Sequence, residues 1–220
     1  MAASSWSPRI TIIRTGSFII VFASPSGMVI VFFNFPIMLV LIVIAESLIK
    51  ILLTDKWLPS VPLLQLLCIT GATYPIHSLN LSMLNVKGRS DLFLKLEIIK
   101  VFLIVGTAII CIPYGVLTLV AGQVVISIVA YFINSYYSGK ILKYGVKEQI
   151  KDIIPYLGLS VIMMILTWSL KLLITDQVNI LMISQIIFAL LFYIITAKFF
   201  NLDAYKKFVI IIKDNILKMN

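Results

Sequence analysis

The amino-acid sequence predicts an all-α, polytopic membrane protein, and three observations lead to that prediction. Apolar residues make up 61% of the 220 residues, charged residues make up 12%, and the mean hydropathy is +1.10. Soluble globular domains carry about 25% charged residues, so a soluble core is excluded. The apolar residues form six runs, each close to the ~20 residues that a helix needs to cross a bilayer core. The runs lack the alternation of barrel strands, so helices are the structure that satisfies their backbone in lipid.

The six predicted spans follow one another closely, at 29–51, 62–85, 97–113, 115–136, 154–174 and 178–197. A short turn at 54–59 joins the first two spans, and its Trp57 suits the membrane–water interface. A charge-free turn at 112–115 joins the third and fourth spans. The stretch 138–153 is expected to be the longest connection between spans.

Lysine and arginine residues fall mostly on alternate connections, which predicts the orientation of the chain. With the N-terminus inside, 15 of the 18 basic residues lie on the cytoplasmic side, and only Lys50, Lys56 and Lys171 lie outside. Because basic residues near span ends stay in the cytoplasm, both termini are expected there. The net charge of +9 is scattered over several loops. The expected partner is therefore the lipid bilayer, and a nucleic acid is not.

The chain is expected to divide into three parts. Residues 1–27 form a cytoplasmic or interfacial lead-in, because their apolar stretch is too short to span and is broken at 24–27. Residues 28–200 form a six-helix transmembrane lobe. Residues 201–220 form an amphipathic cytoplasmic tail, whose helix can lie in the headgroup plane.

No catalytic, metal-binding or cofactor-binding motif occurs in the sequence. His77 is the single histidine, and no carboxylate lies within one helical turn of it. Cys68 and Cys111 fall inside apolar spans, where cysteine behaves as a small hydrophobe, and they lack metal-ligand spacing. An enzyme is therefore not expected, and neither a metal nor a cofactor is expected.

Polar side chains form stripes on two of the predicted spans. On the second span they recur along one helix face at Thr70, Thr73, His77 and Asn80. On the fourth span they recur at Gln123, Ser127, Tyr131 and Asn134. Polar groups in lipid are costly and usually face a partner or a water-filled cavity. The stripes are therefore expected either to line a transport cavity or to join the helices by hydrogen bonds.

Ionisable groups inside or near the spans leave similar alternatives open. His77 can relay protons, because its reference pKa lies near neutrality, or it can stay neutral and hydrogen-bonded to a neighbouring helix. Glu46 and Lys50 are spaced for an ion pair near the outer end of the first span. Glu97 and Lys100 are spaced for a similar pair near the inner surface.

Several segments in the first half of the chain resemble bacterial polysaccharide flippases. The similar segments are FPIML at 35–39, AESLI at 45–49, DKW at 55–57, VPLLQLL at 61–67, LNVKGRSDL at 84–92 and LKLEIIK at 94–100. In this order they resemble lipopolysaccharide and colanic-acid exporters of the Wzx type, in the superfamily of MATE exporters and the lipid II flippase. The similarity is concentrated at about 30–105, and beyond it only the span pattern matches.

The resemblance implies a function and a missing counterpart. Family members have about twelve spans in two lobes that rock around a central cavity, and this chain is similar to the second, C-terminal lobe. The resemblance implies movement of undecaprenyl-pyrophosphate-linked oligosaccharide across the bacterial inner membrane, without covalent chemistry. A missing N-terminal lobe or a second copy of the chain is then the expected protein partner.

Candidate substrate-binding residues follow from the polar stripes and from the resemblance. They are Lys87, Arg89, Thr73, His77, Asn80, Gln123 and Ser127. Lys87 and Arg89 lie where a pyrophosphate entering from the cytoplasm would first meet the protein, and they serve equally well as topogenic charges. The stripe residues offer hydrogen bonds to sugars.

Other functions remain open at the level of sequence. The chain can be half of another MATE-like exporter, a membrane subunit without transport of its own, or a truncated gene product. A membrane polymerase or ligase of the same pathway would need a large outer loop to hold donor and acceptor, and the outer loops here are only a few residues long.

Overall fold

Helices make up nearly all of the described structure. The computed structural model describes residues 27–173 and 177–217, and within these ranges it contains helices and short turns but no strand. The seven α-helices are α1 Gly27–Leu53, α2 Val61–Val86, α3 Ser90–Cys111, α4 Val116–Leu142, α5 Val146–Ser169, α6 Val178–Phe199 and α7 Asp203–Leu217. The all-α prediction is confirmed. Residues 1–26 of the predicted lead-in and 174–176 of the last turn lie outside the described residues.

Five helices are long and apolar enough to cross a membrane, which confirms the polytopic class. They are α1, α3, α4, α5 and α6, and the mean hydropathy of their most apolar 18-residue segments lies between 1.9 and 2.8. The sequence predicted a sixth span at α2, which is equally long at 26 residues but falls outside this set. Polar residues within α2 lower its mean hydropathy. Some of them face α4 and α1, the helices against which α2 packs most extensively, as Thr73 and Gln65 do.

The prediction of a long connection at 138–153 was wrong. Helix α4 continues to Leu142, and α5 begins only four residues later, at Val146. Lys143 ends α4 in the left-handed region at φ 56°, and the Glu148 carboxylate accepts the backbone N–H of Gly145 at 2.9 Å. This cap satisfies an amide at the start of α5, so the helix begins well before its apolar run. Helix α3 likewise begins at Ser90, seven residues before its predicted start.

The main core is formed where α1 passes between the other helices. Phe32 is fully buried there, its ring lies 4.9 Å from that of Tyr193, and the Tyr193 hydroxyl donates to the Phe32 carbonyl at 2.8 Å. This bond joins α6 to α1. Helix α7 folds back onto α1, with the Phe208 ring 4.7 Å from that of Phe33. A smaller apolar cluster joins α2, α3 and α4 at the other side of the bundle.

The orientation of the helices leads to the first testable prediction. Reporter fusions at Lys143 and after residue 220 are expected to read cytoplasmic, and a fusion at the exposed Tyr114 is expected to read external. The reason is the 15-to-3 division of the 18 basic residues. Paired phosphatase and fluorescent-protein reporters measure the side of each fusion. An external C-terminus would contradict the six-span topology.

Candidate functional site

Polar side chains of α2 and α4 meet from the middle of both helices toward their C-terminal ends and form a seam, called the polar seam below. It comprises Thr73, His77 and Asn80 of α2 with Ser127, Asn134 and Ser135 of α4. The sequence predicted both stripes from the spacing within each helix. The structure brings the two stripes into direct hydrogen-bonding contact.

One part of the polar seam is a chain of hydrogen bonds that runs from Asn134 to the Thr70 carbonyl. The Asn134 amide nitrogen lies 3.4 Å from His77 Nδ1, and His77 Nε2 lies 3.2 Å from Ser127 Oγ. Ser127 Oγ lies 2.6 Å from Thr73 Oγ1, which donates in turn to the Thr70 carbonyl at 2.8 Å. The tautomer with an amide donor at Nδ1 and a proton on Nε2 satisfies the whole chain with a neutral imidazole.

In the other part of the polar seam, Gln149 of α5 forms hydrogen bonds with Asn80 and Ser135. Gln149 donates to the Asn80 side-chain oxygen at 2.7 Å, and Asn80 donates back to Gln149 Oε1 at 3.1 Å. The Ser135 hydroxyl also donates to Gln149 Oε1, at 2.9 Å. Asn80 and Gln149 are each only 2% exposed. This reciprocal pair ties α2, α4 and α5 together.

Gln149 was missed from the sequence because it lies in the stretch predicted as a loop. A signal was present, since four residues of α5 that the structure buries repeat at helical spacing: Gln149, Ile153, Tyr156 and Ser160. The stripe continues through the predicted loop without interruption. Its polar first member hid the helical period.

Helix α3 carries a charged pair. The Lys100 ammonium lies 2.6 Å from the Glu97 carboxylate, which confirms the predicted pair. Helix α3 packs against α4 and α2. The pair lies in the first half of α3, the half nearer to Lys87 and Arg89, and its position near the inner surface stays a prediction. Charged groups in a membrane-spanning helix normally pair with each other or face a water-filled space.

Three of the predicted site residues lie apart from the polar seam. Gln123 is exposed on α4, one turn before Ser127. Lys87 and Arg89 are exposed beyond the end of α2, and Arg89 forms two 3.0 Å hydrogen bonds with the Asp91 carboxylate. Lys87 and Arg89 therefore lie on the surface at the end of the bundle, outside its interior.

The members of the polar seam differ in burial, and burial bears on the two alternatives for the stripes. Asn80, Asn134 and Ser135 are buried and bonded, which is what interhelical hydrogen bonding requires. Thr73, His77 and Ser127 are only half-buried. In the described parts of the chain no cluster of three or more potential metal ligands occurs. The half-buried groups can offer hydrogen bonds to a ligand.

The predicted pair between Glu46 and Lys50 was wrong. Glu46 instead accepts a 2.8 Å hydrogen bond from Lys171, and the Lys50 ammonium lies 4.0 Å from the Asp55 carboxylate. Glu46 and Lys171 are separated by 125 residues, so the pairing depends on the packing of α5 against α1. These charges stand at the opposite end of the bundle from Lys87 and Arg89.

Comparison with known proteins supports a connection with polysaccharide biosynthesis. Residues 24–62 match a family described as "Polysaccharide biosynthesis protein". Over 77 residues the chain is 32% identical to the lipopolysaccharide biosynthesis protein WzxC of Escherichia coli K12. Over 77 residues it is 35% identical to an uncharacterized membrane protein in the cps region of Klebsiella pneumoniae.

These similarities cover part of each protein. Each alignment spans 35% of this chain and 16% of the relative. No solved structure matches the chain. The predicted resemblance to Wzx-type polysaccharide proteins is thus confirmed over a segment, while the wider superfamily and the assignment to a C-terminal half stay predictions.

Proposed function

We propose that this chain supplies one helical lobe of a flippase that moves undecaprenyl-pyrophosphate-linked oligosaccharide across the bacterial inner membrane. The observation that carries the proposal is the presence of half-buried polar side chains on α2 and α4, namely Thr73, His77 and Ser127. Both helices also pack against α3, which carries the Glu97–Lys100 pair. Such groups usually face a partner or water.

Each group has a role that follows from its chemistry. Lys87 and Arg89 meet the pyrophosphate as it leaves the cytoplasmic surface, because ammonium and guanidinium groups bind phosphate oxygens. The hydroxyl and imidazole groups of Thr73, His77 and Ser127, with the exposed amide of Gln123, exchange hydrogen bonds with sugar hydroxyls. Asn80 keeps α2 and α4 in register. No bond is made or broken in the substrate.

A single lobe provides only one wall for such a pathway. Alternating access requires an opposing wall that rocks against the first. A preceding six-span lobe or a second copy of this chain supplies it. The relatives' names refer to lipopolysaccharide biosynthesis and to a cps region. Those contexts agree with an oligosaccharide carried on a lipid as the substrate.

Substitution of the two inner cations tests the proposed substrate contact. A photoactivatable undecaprenyl-pyrophosphate-linked oligosaccharide is expected to label the purified chain in nanodiscs about tenfold less after Lys87→Gln/Arg89→Gln, because charge-assisted hydrogen bonds to the pyrophosphate are lost. The matched control is Lys140→Gln/Lys147→Gln, which removes the same charge from exposed positions at the turn between α4 and α5.

The control variant is expected to label like the unaltered chain. Equal loss in both variants would mean that Lys87 and Arg89 act only through the net charge of the cytoplasmic surface. No loss in either would assign Lys87 and Arg89 to topology alone, and labelling by a lipid without pyrophosphate would contradict the substrate class.

A further inference from the structure

Tyr74 lies in the middle of α2, and 72% of its surface is exposed. Helix α2 runs from Val61 to Val86, so at ~1.5 Å per residue Tyr74 lies roughly 20 Å from either end of the helix. Tyrosines of membrane proteins are normally enriched at the two membrane–water interfaces. An interface position explains the exposed Tyr114 in the turn before α4, but it does not explain Tyr74.

Hydrogen-bonding side chains flank Tyr74 on the same face of α2. Thr70 lies four residues before it and His77 three residues after it, and this spacing makes side chains neighbours on a helix surface. Thr70 and His77 are half-buried, whereas Ala72 and Ile76 on the opposite face are buried. The face around Tyr74 therefore combines one aromatic ring with a hydroxyl and an imidazole, and these three side chains include no carboxylate or ammonium group.

This combination of groups suits a sugar better than a lipid chain or a phosphate. Against acyl chains the Tyr74 hydroxyl would have no hydrogen-bond partner, which is costly in a bilayer. A phosphate would require ammonium or guanidinium groups. A sugar ring instead packs its C–H groups on the negative face of an aromatic ring. Its hydroxyl groups can exchange hydrogen bonds with Thr70 and His77.

We propose that Tyr74 is a stacking platform for a sugar residue of the transported oligosaccharide. This inference rests on the proposed function and adds the side chain that holds the sugar, whereas Lys87 and Arg89 meet the pyrophosphate. Along α2, Tyr74 and Lys87 are separated by ~20 Å at the helical rise of ~1.5 Å per residue. A ligand that contacts both positions therefore extends well beyond a single sugar ring.

Photolabelling of the purified chain in nanodiscs tests the proposal with two photoactivatable probes, undecaprenyl-pyrophosphate-linked oligosaccharide and undecaprenyl pyrophosphate without sugar. Tyr74→Leu is expected to raise the apparent Kd for the first probe about fivefold, since one aromatic contact contributes about that factor. The same variant is expected to leave the apparent Kd for the sugar-free probe unchanged. Tyr74→Phe keeps the ring and is expected to bind both probes nearly as the unaltered chain does.

The matched control is Phe102→Leu, which removes an aromatic ring of similar exposure, 73%, from α3. It is expected to bind both probes like the unaltered chain, and gel filtration checks that each variant is folded. An equal loss for Phe102→Leu would assign the effect to aromatic contacts with the bilayer and would overturn a sugar site at Tyr74.

The remaining outcomes separate this inference from the proposed function. Equal weakening of both probes by Tyr74→Leu would place the lipid carrier, and not a sugar, on Tyr74. A loss in Tyr74→Phe as large as in Tyr74→Leu would overturn stacking on the ring. Labelling that depends on Lys87 and Arg89 but not on Tyr74 would overturn the stacking platform and leave the proposed function standing. An unaltered chain that neither probe labels would contradict the proposed function itself.

Discussion

Replacing Asn80 by leucine is expected to lower the free energy of unfolding by about 1–3 kcal/mol. Asn80 and Gln149 exchange two hydrogen bonds in a site where both are 2% exposed. The leucine removes one partner and leaves the Gln149 amide buried without its main acceptor. A single interhelical hydrogen bond in a membrane protein averages only ~0.6 kcal/mol. The larger expected effect comes from the buried Gln149 N–H that loses its acceptor, while the other N–H of that amide keeps the Tyr144 carbonyl at 3.1 Å.

A double-mutant cycle in detergent micelles measures this coupling. Gln149→Leu is expected to destabilise the fold similarly, and the double variant to lose less than the two single losses together, with a coupling of about 1 kcal/mol. Asn85→Leu is the matched control, because Asn85 is exposed at the end of the same helix. Additive losses would show that Asn80 and Gln149 do not act on each other.

The apolar runs of the sequence were sufficient to predict the helices, because the bilayer leaves no other structure for the backbone. The apolar runs were less informative about the residues at which helices begin and end. The cap at Gly145 and Glu148 starts α5 within a polar stretch, and only hydrogen bonding to a specific amide reveals that start. Hydropathy reports which residues prefer lipid, whereas a helix continues for as long as its backbone amides are satisfied.

The polar seam was predictable in part, for a physical reason. Thr73 and Ser127 belong to stripes that can be read within one helix, since residues three and four apart share a face. Which helices place their stripes against each other depends on packing over long separations. The pairs Asn80–Gln149 and Glu46–Lys171 join residues 69 and 125 positions apart. Local spacing suggested Lys50 as the partner of Glu46, and tertiary packing placed Lys171 closer.

The second large effect concerns whether one lobe is sufficient for transport. Expressed alone in a strain that lacks its flippase for lipid-linked oligosaccharide, this chain is expected to restore no surface polysaccharide. The reason is that the proposed single lobe supplies one wall of the pathway, and alternating access needs another. Blotting of the membrane fraction is the control for insertion.

Complementation with and without a matching first lobe is the most direct test that the chain is one wall of a flippase. We predict that surface polysaccharide returns when a six-span first lobe of a Wzx-type flippase is co-expressed, and that it stays absent when either part is expressed alone. Full restoration by this chain alone, with equal membrane insertion, would contradict the requirement for a separate first lobe and would mean that copies of the chain assemble with each other.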